Sequence, residues 1–236
     1  MDVGVSHGIL DWNSIVDCNV LYNRVIFLST KSLRMSLPVH IEEAIVKYLP
    51  HQEGWTTPER GVEMAQLIYE TKAQVCVDIG VFAGRSTVAM GMAARELITS
   101  HVYGIDPWKI DSAVEGDNVE ENQKWWKERA NLQEMHWQTM FVLWAHRLDQ
   151  WVTIIRNASQ YVHQLFPVID FLNIDGCHTE VASCRDVGLY LPRLVSGGYL
   201  CFDDSDWGST QKALQMIEEQ CELTNDTGHA RTYRKR

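Results

Sequence analysis

The sequence predicts an α/β fold, a mostly parallel sheet with helices on both faces, and three observations carry the prediction. Short apolar runs alternate along the chain with segments of helical period. The first such run turns through glycines directly into a helix, and four of the runs end in acidic residues: Asp78, Asp106, Asp175 and the pair Asp203–Asp204. Open sheets of this kind bind their ligands at the carboxyl ends of the strands, so these termini mark where function lies.

The first run, in QVCVDIGVFAGRST (Gln74–Thr87), is short, bounded and β-branched, as an interior strand of a parallel sheet should be. Gly80 and Gly84 allow a tight turn with close backbone approach, and Arg85 through Glu96 is rich in helix formers. A dinucleotide site needs a second glycine two residues after the first so that the backbone can reach a pyrophosphate; here that position is Phe82, which argues against NAD. The remaining pattern, acidic-x-Gly-x-x-x-Gly, resembles the first motif of class I S-adenosylmethionine-dependent methyltransferases. That resemblance implies cofactor contacts at Asp78, Gly80, Gly84 and Ser86.

The other elements follow in order. Residues 1–36 give no clear pattern beyond the apolar run Val25–Leu28. A helix is expected over Val39–Leu49, closed by Pro50, and a second one capped by Thr57 with Pro58 at its first position. In the resembled family the segment Trp55–Arg60 lies over the cofactor mouth, which makes Trp55 either a lid or an ordinary packing residue. His101–Asp106 is the second strand; Asp106 at its tip stands where such folds grip ribose hydroxyls, or is a solvated strand end.

Pro107–Trp151 holds six of the nine tryptophans, so it is expected to fold into helices that bury these rings against the sheet. Trp151–Arg156 is strand three, and Ser159 beyond it is a cofactor contact by resemblance or simply a helix cap. Strands four and five are Ile169–Gly176 and Gly198–Asp204, joined by a crossover helix Glu180–Leu194. A last helix is expected over Ser209–Cys221. After it, Glu222–Leu223 and Ala230–Arg234 form an antiparallel pair turning at Asn225–Gly228. The basic tail Arg231–Arg236 reads as a solvated terminus or a protected edge strand.

Neighbouring strands four and five, about 4.8 Å apart, bring Asp175, Asp203 and Asp204 together, and three such groups do not all stay ionised without a cation. Oxygen ligands point to a hard ion, with Mg²⁺ as the default and Ca²⁺ or Mn²⁺ as alternatives. His178, three residues after Asp175, is a base or substrate contact, or a residue lining the start of the crossover helix.

The runs D-G-x-H-x-x-E and G-G-Y-x-x-x-D-D resemble the metal-dependent sugar O-methyltransferases and the related cephalosporin-hydroxylase-like proteins. The resemblance covers about residues 55–215. It implies a Rossmann-like, seven-stranded, mostly parallel sheet, divided as an N-terminal helical extension over 1–50 and a methyltransferase domain over 51–236. It further implies metal ligands at Asp175, Asp203 and Asp204, with Asp175 also a general base.

Composition agrees with one ample domain: 236 residues, 45% hydrophobic. A formal net charge of −10 opposes phosphate backbones, so nucleic acid is not an expected partner. The six cysteines lack C-x-x-C spacing, and neither a signal peptide nor a long apolar span is present, which predicts a cytoplasmic protein with no membrane partner. The expected activity is methyl transfer from S-adenosylmethionine to a hydroxyl of a small molecule, a sugar first and a catechol-like phenol second. Two rivals are a metal-independent N-methyltransferase and a non-catalytic S-adenosylmethionine-binding protein. Relatives of this kind often dimerise, so a homodimer is expected by resemblance alone.

Overall fold

The computed structural model describes residues 35–116 and 120–236, of which Ser36–Arg236 form one compact unit. The run Val25–Leu28 lies outside the described residues. Among those residues the chain builds α1 (Val39–Tyr48), α2 (Pro58–Thr71), β1 (Val75–Ile79), α3 (Arg85–Leu97), β2 (His101–Ile105), α4 (Ile110–Ala113), α5 (Glu120–Glu128) and α6 (Leu132–Ala145). It continues with β3 (Val152–Ile155), α7 (Ser159–Val162), β4 (Ile169–Ile174), α8 (Glu180–Tyr190), β5 (Leu194–Phe202), α9 (Gln211–Glu218), β6 (Cys221–Asp226) and β7 (Arg231–Lys235).

The seven strands form one sheet in the order β3-β2-β1-β4-β5-β7-β6, parallel except for β7, which runs antiparallel to both its neighbours. The expected Rossmann-like sheet is therefore present, with helices on both faces. Alternation along β1 shows how the faces are filled. Cys76 packs among α1, α2 and α3 residues such as Ile45, Ile68 and Met90, whereas Val77 packs among α8 and α9 residues such as Val187, Tyr190 and Leu214.

The register aligns the strand ends. Ile79 is level with Ile105 and Ile174, and Ile174 with Phe202. The pairing extends one residue further, because Gly80 N–H donates to the Ile105 carbonyl (3.0 Å), Asp175 N–H to Ile79 (2.8 Å) and Asp203 N–H to Ile174 (3.1 Å). Gly80, Asp175 and Asp203 are thus pinned along one rim of the sheet. The chain leaves β1 toward β2 and β3 on one side, while β4 and β5 lie on the other, so this rim includes the switch point of the topology.

Three expectations change. Strand β5 begins at Leu194 rather than Gly198, since a register break opposite Ile169–Phe171, with Gly197 at φ +83°, lets the chain join the sheet before the bulge. The basic tail is an interior strand, not an edge: β6 takes the edge, and β7 slots between β5 and β6 with Thr232 and Tyr233 buried. The tryptophan-rich insert is helical but does not bury all its rings. A helix has one face to offer the core, and α6 offers Leu132, Met135, Thr139 and Leu143; Trp137 and Trp144 stay 66% and 68% exposed on the other side.

Candidate active site

A cavity of about 980 Å³ opens along the rim, lined by residues following β1, β2, β4 and β5 and by the Trp55–Arg60 segment. At the β1 end, the glycine turn is set by geometry. A Cβ on Gly80 (φ +90°) would run into the carbonyl of Asp175, so only glycine permits β1 and β4 to end this close together. Phe82 is left-handed too (φ +50°), an uncommon conformation for a bulky residue. Three hydrogen bonds hold it there: its N–H donates to Asp106 Oδ2 (2.9 Å), and its carbonyl accepts from Trp108 Nε1 (2.8 Å) and Thr139 Oγ1 (3.2 Å).

Asp106 thus has a double task. Oδ1 accepts from the Trp108 N–H (2.6 Å) and Oδ2 braces the turn, while the carboxylate lines the cavity. Burial pushes its pKa up to about 6, against the pull of these N–H donors.

Of the six expected cofactor residues, Gly80, Asp106 and Ser159 line the cavity, whereas Asp78, Gly84 and Ser86 do not. Asp78 is fully buried and accepts from Ser86 Oγ (2.8 Å), Thr87 Oγ1 (2.5 Å) and Asn173 Nδ2 (2.8 Å). It ties the start of α3 to β1 and β4, a brace for the turn. Gly84, at φ +92°, is the N-cap from which α3 springs.

At the far end of the cavity, Ser159 Oγ donates to Asp186 (2.5 Å) and its carbonyl accepts from Tyr190 (2.8 Å). Burial raises Asp186 to about 6. A two-pronged ion pair, Arg185 to Glu115 at 2.7 and 2.8 Å, ties α8 to the chain after α4. Sequence reasoning missed Asp186 and Arg185, which no motif marks, and gave no role to Glu115 although it opens the fragment EGDN, because only the packing of α8 brings them to the cavity. The mouth carries a ring cluster: Trp55 lies 5.1 Å from both Phe82 and Trp125, and Trp125 lies 5.0 Å from Trp126. Trp55, 63% exposed, is part of the cavity lining, and its ring packs on Phe82 and Trp125.

The β4–β5 end collects the acids. Among the described residues, Asp175, His178 and Asp204 bring ligand atoms within 4.8 Å of one another. His178 Nδ1 is 2.9 Å from Asp204 Oδ2, and its Nε2 is 3.5 Å from Asp175 Oδ1. This grouping differs from the trio read from the sequence, since Asp203 is turned toward Arg60, with Oδ1 3.6 Å from Nε. Asp204 takes a left-handed backbone (φ +51°), and its carbonyl accepts from Thr210 Oγ1 (2.8 Å), which helps the two adjacent carboxylates diverge.

The charges shift accordingly. Burial opposes an imidazolium at His178, but the carboxylates of Asp175 and Asp204 outweigh it and raise its pKa to about 10. Burial and then Asp203 push Asp175 well above the usual carboxylate range. Two basic side chains of the chain itself, His178 and Arg60, thus stand beside these acids.

Comparison with known proteins follows the same outline. A family model described as a methyltransferase domain matches residues 77–205, from β1 to just past β5. No curated protein matches the chain in sequence. The solved structure of the O-methyltransferase NovP resembles it with a TM-score of 0.62 at 15% identity, over 76% of this chain and 80% of that one. Methyltransferase PaMTH1 of Podospora anserina, solved with S-adenosylhomocysteine, gives 0.57 at 10% identity over 98% and 100%. TomG of Streptomyces achromogenes, an O-methyltransferase solved with S-adenosylmethionine, gives 0.56 at 10% identity over 89% and 95%. At such identities these likenesses speak for the fold.

Proposed function

The chain belongs to the S-adenosylmethionine-dependent methyltransferase domains, and we propose that it transfers the methyl group to a hydroxyl of a small molecule. The observation that carries this reading is the placement of Asp175, His178 and Asp204 in the same cavity as Gly80 and Asp106, so that a donor and an acceptor group can share one enclosure. Its volume of about 980 Å³ leaves room for a small acceptor beside the cofactor.

The cofactor's ribose is assigned to Asp106, its chain to the Gly80 turn, and its base to the Ser159 end. Methyl transfer needs the acceptor oxygen in line with the sulfonium methyl and its proton removed. Asp175 sits across from Gly80 and is more basic than an ordinary carboxylate, so it takes that proton. His178, held by Asp204, stabilises the negative charge that passes through this end. Acceptors with adjacent hydroxyls, sugars first and catechols second, suit the cluster.

The donor set of two carboxylates and an imidazole fits a divalent ion such as Mg²⁺, once His178 gives up its proton. When bound there, such an ion would polarise and orient the acceptor hydroxyls. The internal cations His178 and Arg60 support a second reading, metal-free proton removal through Asp175–His178–Asp204.

The test is an acceptor screen with Asp175→Asn beside the parent chain. The variant is expected to lose roughly 10²–10⁴-fold in turnover while still binding S-adenosylhomocysteine by calorimetry. Undiminished turnover would remove Asp175 from the chemistry. Loss of turnover in EDTA, restored by Mg²⁺, selects the metal-assisted form; indifference to EDTA selects the second.

A further inference from the structure

Arg60 is buried, 6% exposed, beneath the β4–β5 end of the cavity. Its guanidinium is fixed from three sides: Nη1 donates to Thr232 Oγ1 (2.6 Å) and Glu63 Oε2 (2.9 Å), and Nη2 to the Arg231 carbonyl (3.2 Å). Glu63 is in turn held by Thr232 Oγ1 (2.7 Å) and Asn225 Nδ2 (3.0 Å). One guanidinium nitrogen is left over. Nε is enclosed without a hydrogen-bond acceptor, and the nearest opposite charge is Asp203 Oδ1 at 3.6 Å, beyond hydrogen-bond reach.

An enclosed N–H⁺ edge with no acceptor is unfavourable, so charge draws Asp203 toward it, and no bond locks Asp203 there. The Asp203 backbone is anchored to Ile174, so only the side chain can turn. Its neighbour Asp204 already faces His178.

We propose that Arg60 is the resident counter-charge of Asp203 and weakens divalent-cation binding at the Asp175–His178–Asp204 cluster, because Asp203 joins that set only by leaving its ion pair. This rests on the metal-assisted reading above. Arg60 is a positioning residue: it acts through Asp203.

The experiment measures Mn²⁺ affinity by water-proton relaxation in the whole chain. It compares the parent with Arg60→Met/Glu63→Gln, which removes both members of the buried pair and so leaves neither charge stranded. Arg60→Gln, which keeps a donor for Thr232, stands in if the double variant does not fold by circular dichroism. The expected result is Mn²⁺ bound roughly tenfold or more tightly in the variant, with the gain lost when Asp203→Asn is added. Binding by the variant but not by the parent supports the proposal equally. Equal or weaker binding in the variant, or a gain that survives Asp203→Asn, overturns the role of Arg60 and leaves the metal reading standing. No binding by any chain overturns both.

Discussion

Single residues at the sheet rim are shaped by conflicting demands, and Asp106 shows this best. Its carboxylate must brace the Phe82 turn and still offer acceptors to the cavity, and burial has raised its pKa to about 6. In its proposed role Asp106 accepts from ribose hydroxyls in its ionised form, so binding requires the proton to be absent. Affinity should therefore be full above about pH 7 and fall as the pH drops through about 6. Calorimetry with S-adenosylhomocysteine is expected to show a loss of about fivefold between pH 6 and pH 5, as the ionised form falls from about half to about a tenth. In Asp106→Asn the weaker affinity should stay flat over that range. A parent chain with no such dependence would remove Asp106 from the ribose. The acidic end of the strand was legible as a site from the sequence; its bracing of Phe82 was not, since that needs the turn folded back against β2.

At the scale of elements, α6 shows what helical period can and cannot tell. Its apolar residues are scattered round the helix among Gln133, Glu134, His136 and Gln138, so the pattern alone names no buried face, and the tryptophans suggested burial of most of the rings. Packing chose Leu132, Met135, Thr139 and Leu143, leaving Trp137, Met140, Phe141 and Trp144 in solvent. Urea unfolding should separate the two faces. Leu143→Ala is expected to cost about 2–5 kcal/mol through a cavity in the core, whereas Trp137→Ser and Trp144→Ser should each change stability by no more than about 0.5 kcal/mol. Similar costs on both faces would mean that the exposed rings are covered in solution. The caps were easier to read: Thr57 accepts from the Arg60 N–H (3.2 Å) as its place before Pro58 suggested.

For the whole molecule, the decisive element is the last one. Strand β7 closes the open side of β5 through Tyr199–Phe202 paired with Arg231–Arg234, buries Tyr233, and supplies Thr232 and the Arg231 carbonyl that fix Arg60. A chain ending at Thr227 is expected to lose cooperative unfolding in urea and to aggregate in gel filtration, because β5 becomes an unpaired apolar edge. A sharp transition and a monomeric peak from that chain would show that β7 is dispensable. Among the described residues no helix is long and apolar enough to cross a membrane. The sequence by itself determined the alternation of strands and helices, the glycine turn and the acids at the strand ends, because these depend on local period, on φ and on side chains next to one another in the chain. Only the tertiary structure decided that Asp78 braces rather than lines the cavity, that Asp203 faces Arg60, and that Asp186 joins the Ser159 end. Each depends on groups more than twenty residues apart: Asn173 against Asp78, Arg60 against Asp203, Asp186 against Ser159. Contacts of that separation are set by strand order and helix packing, and no local pattern encodes them.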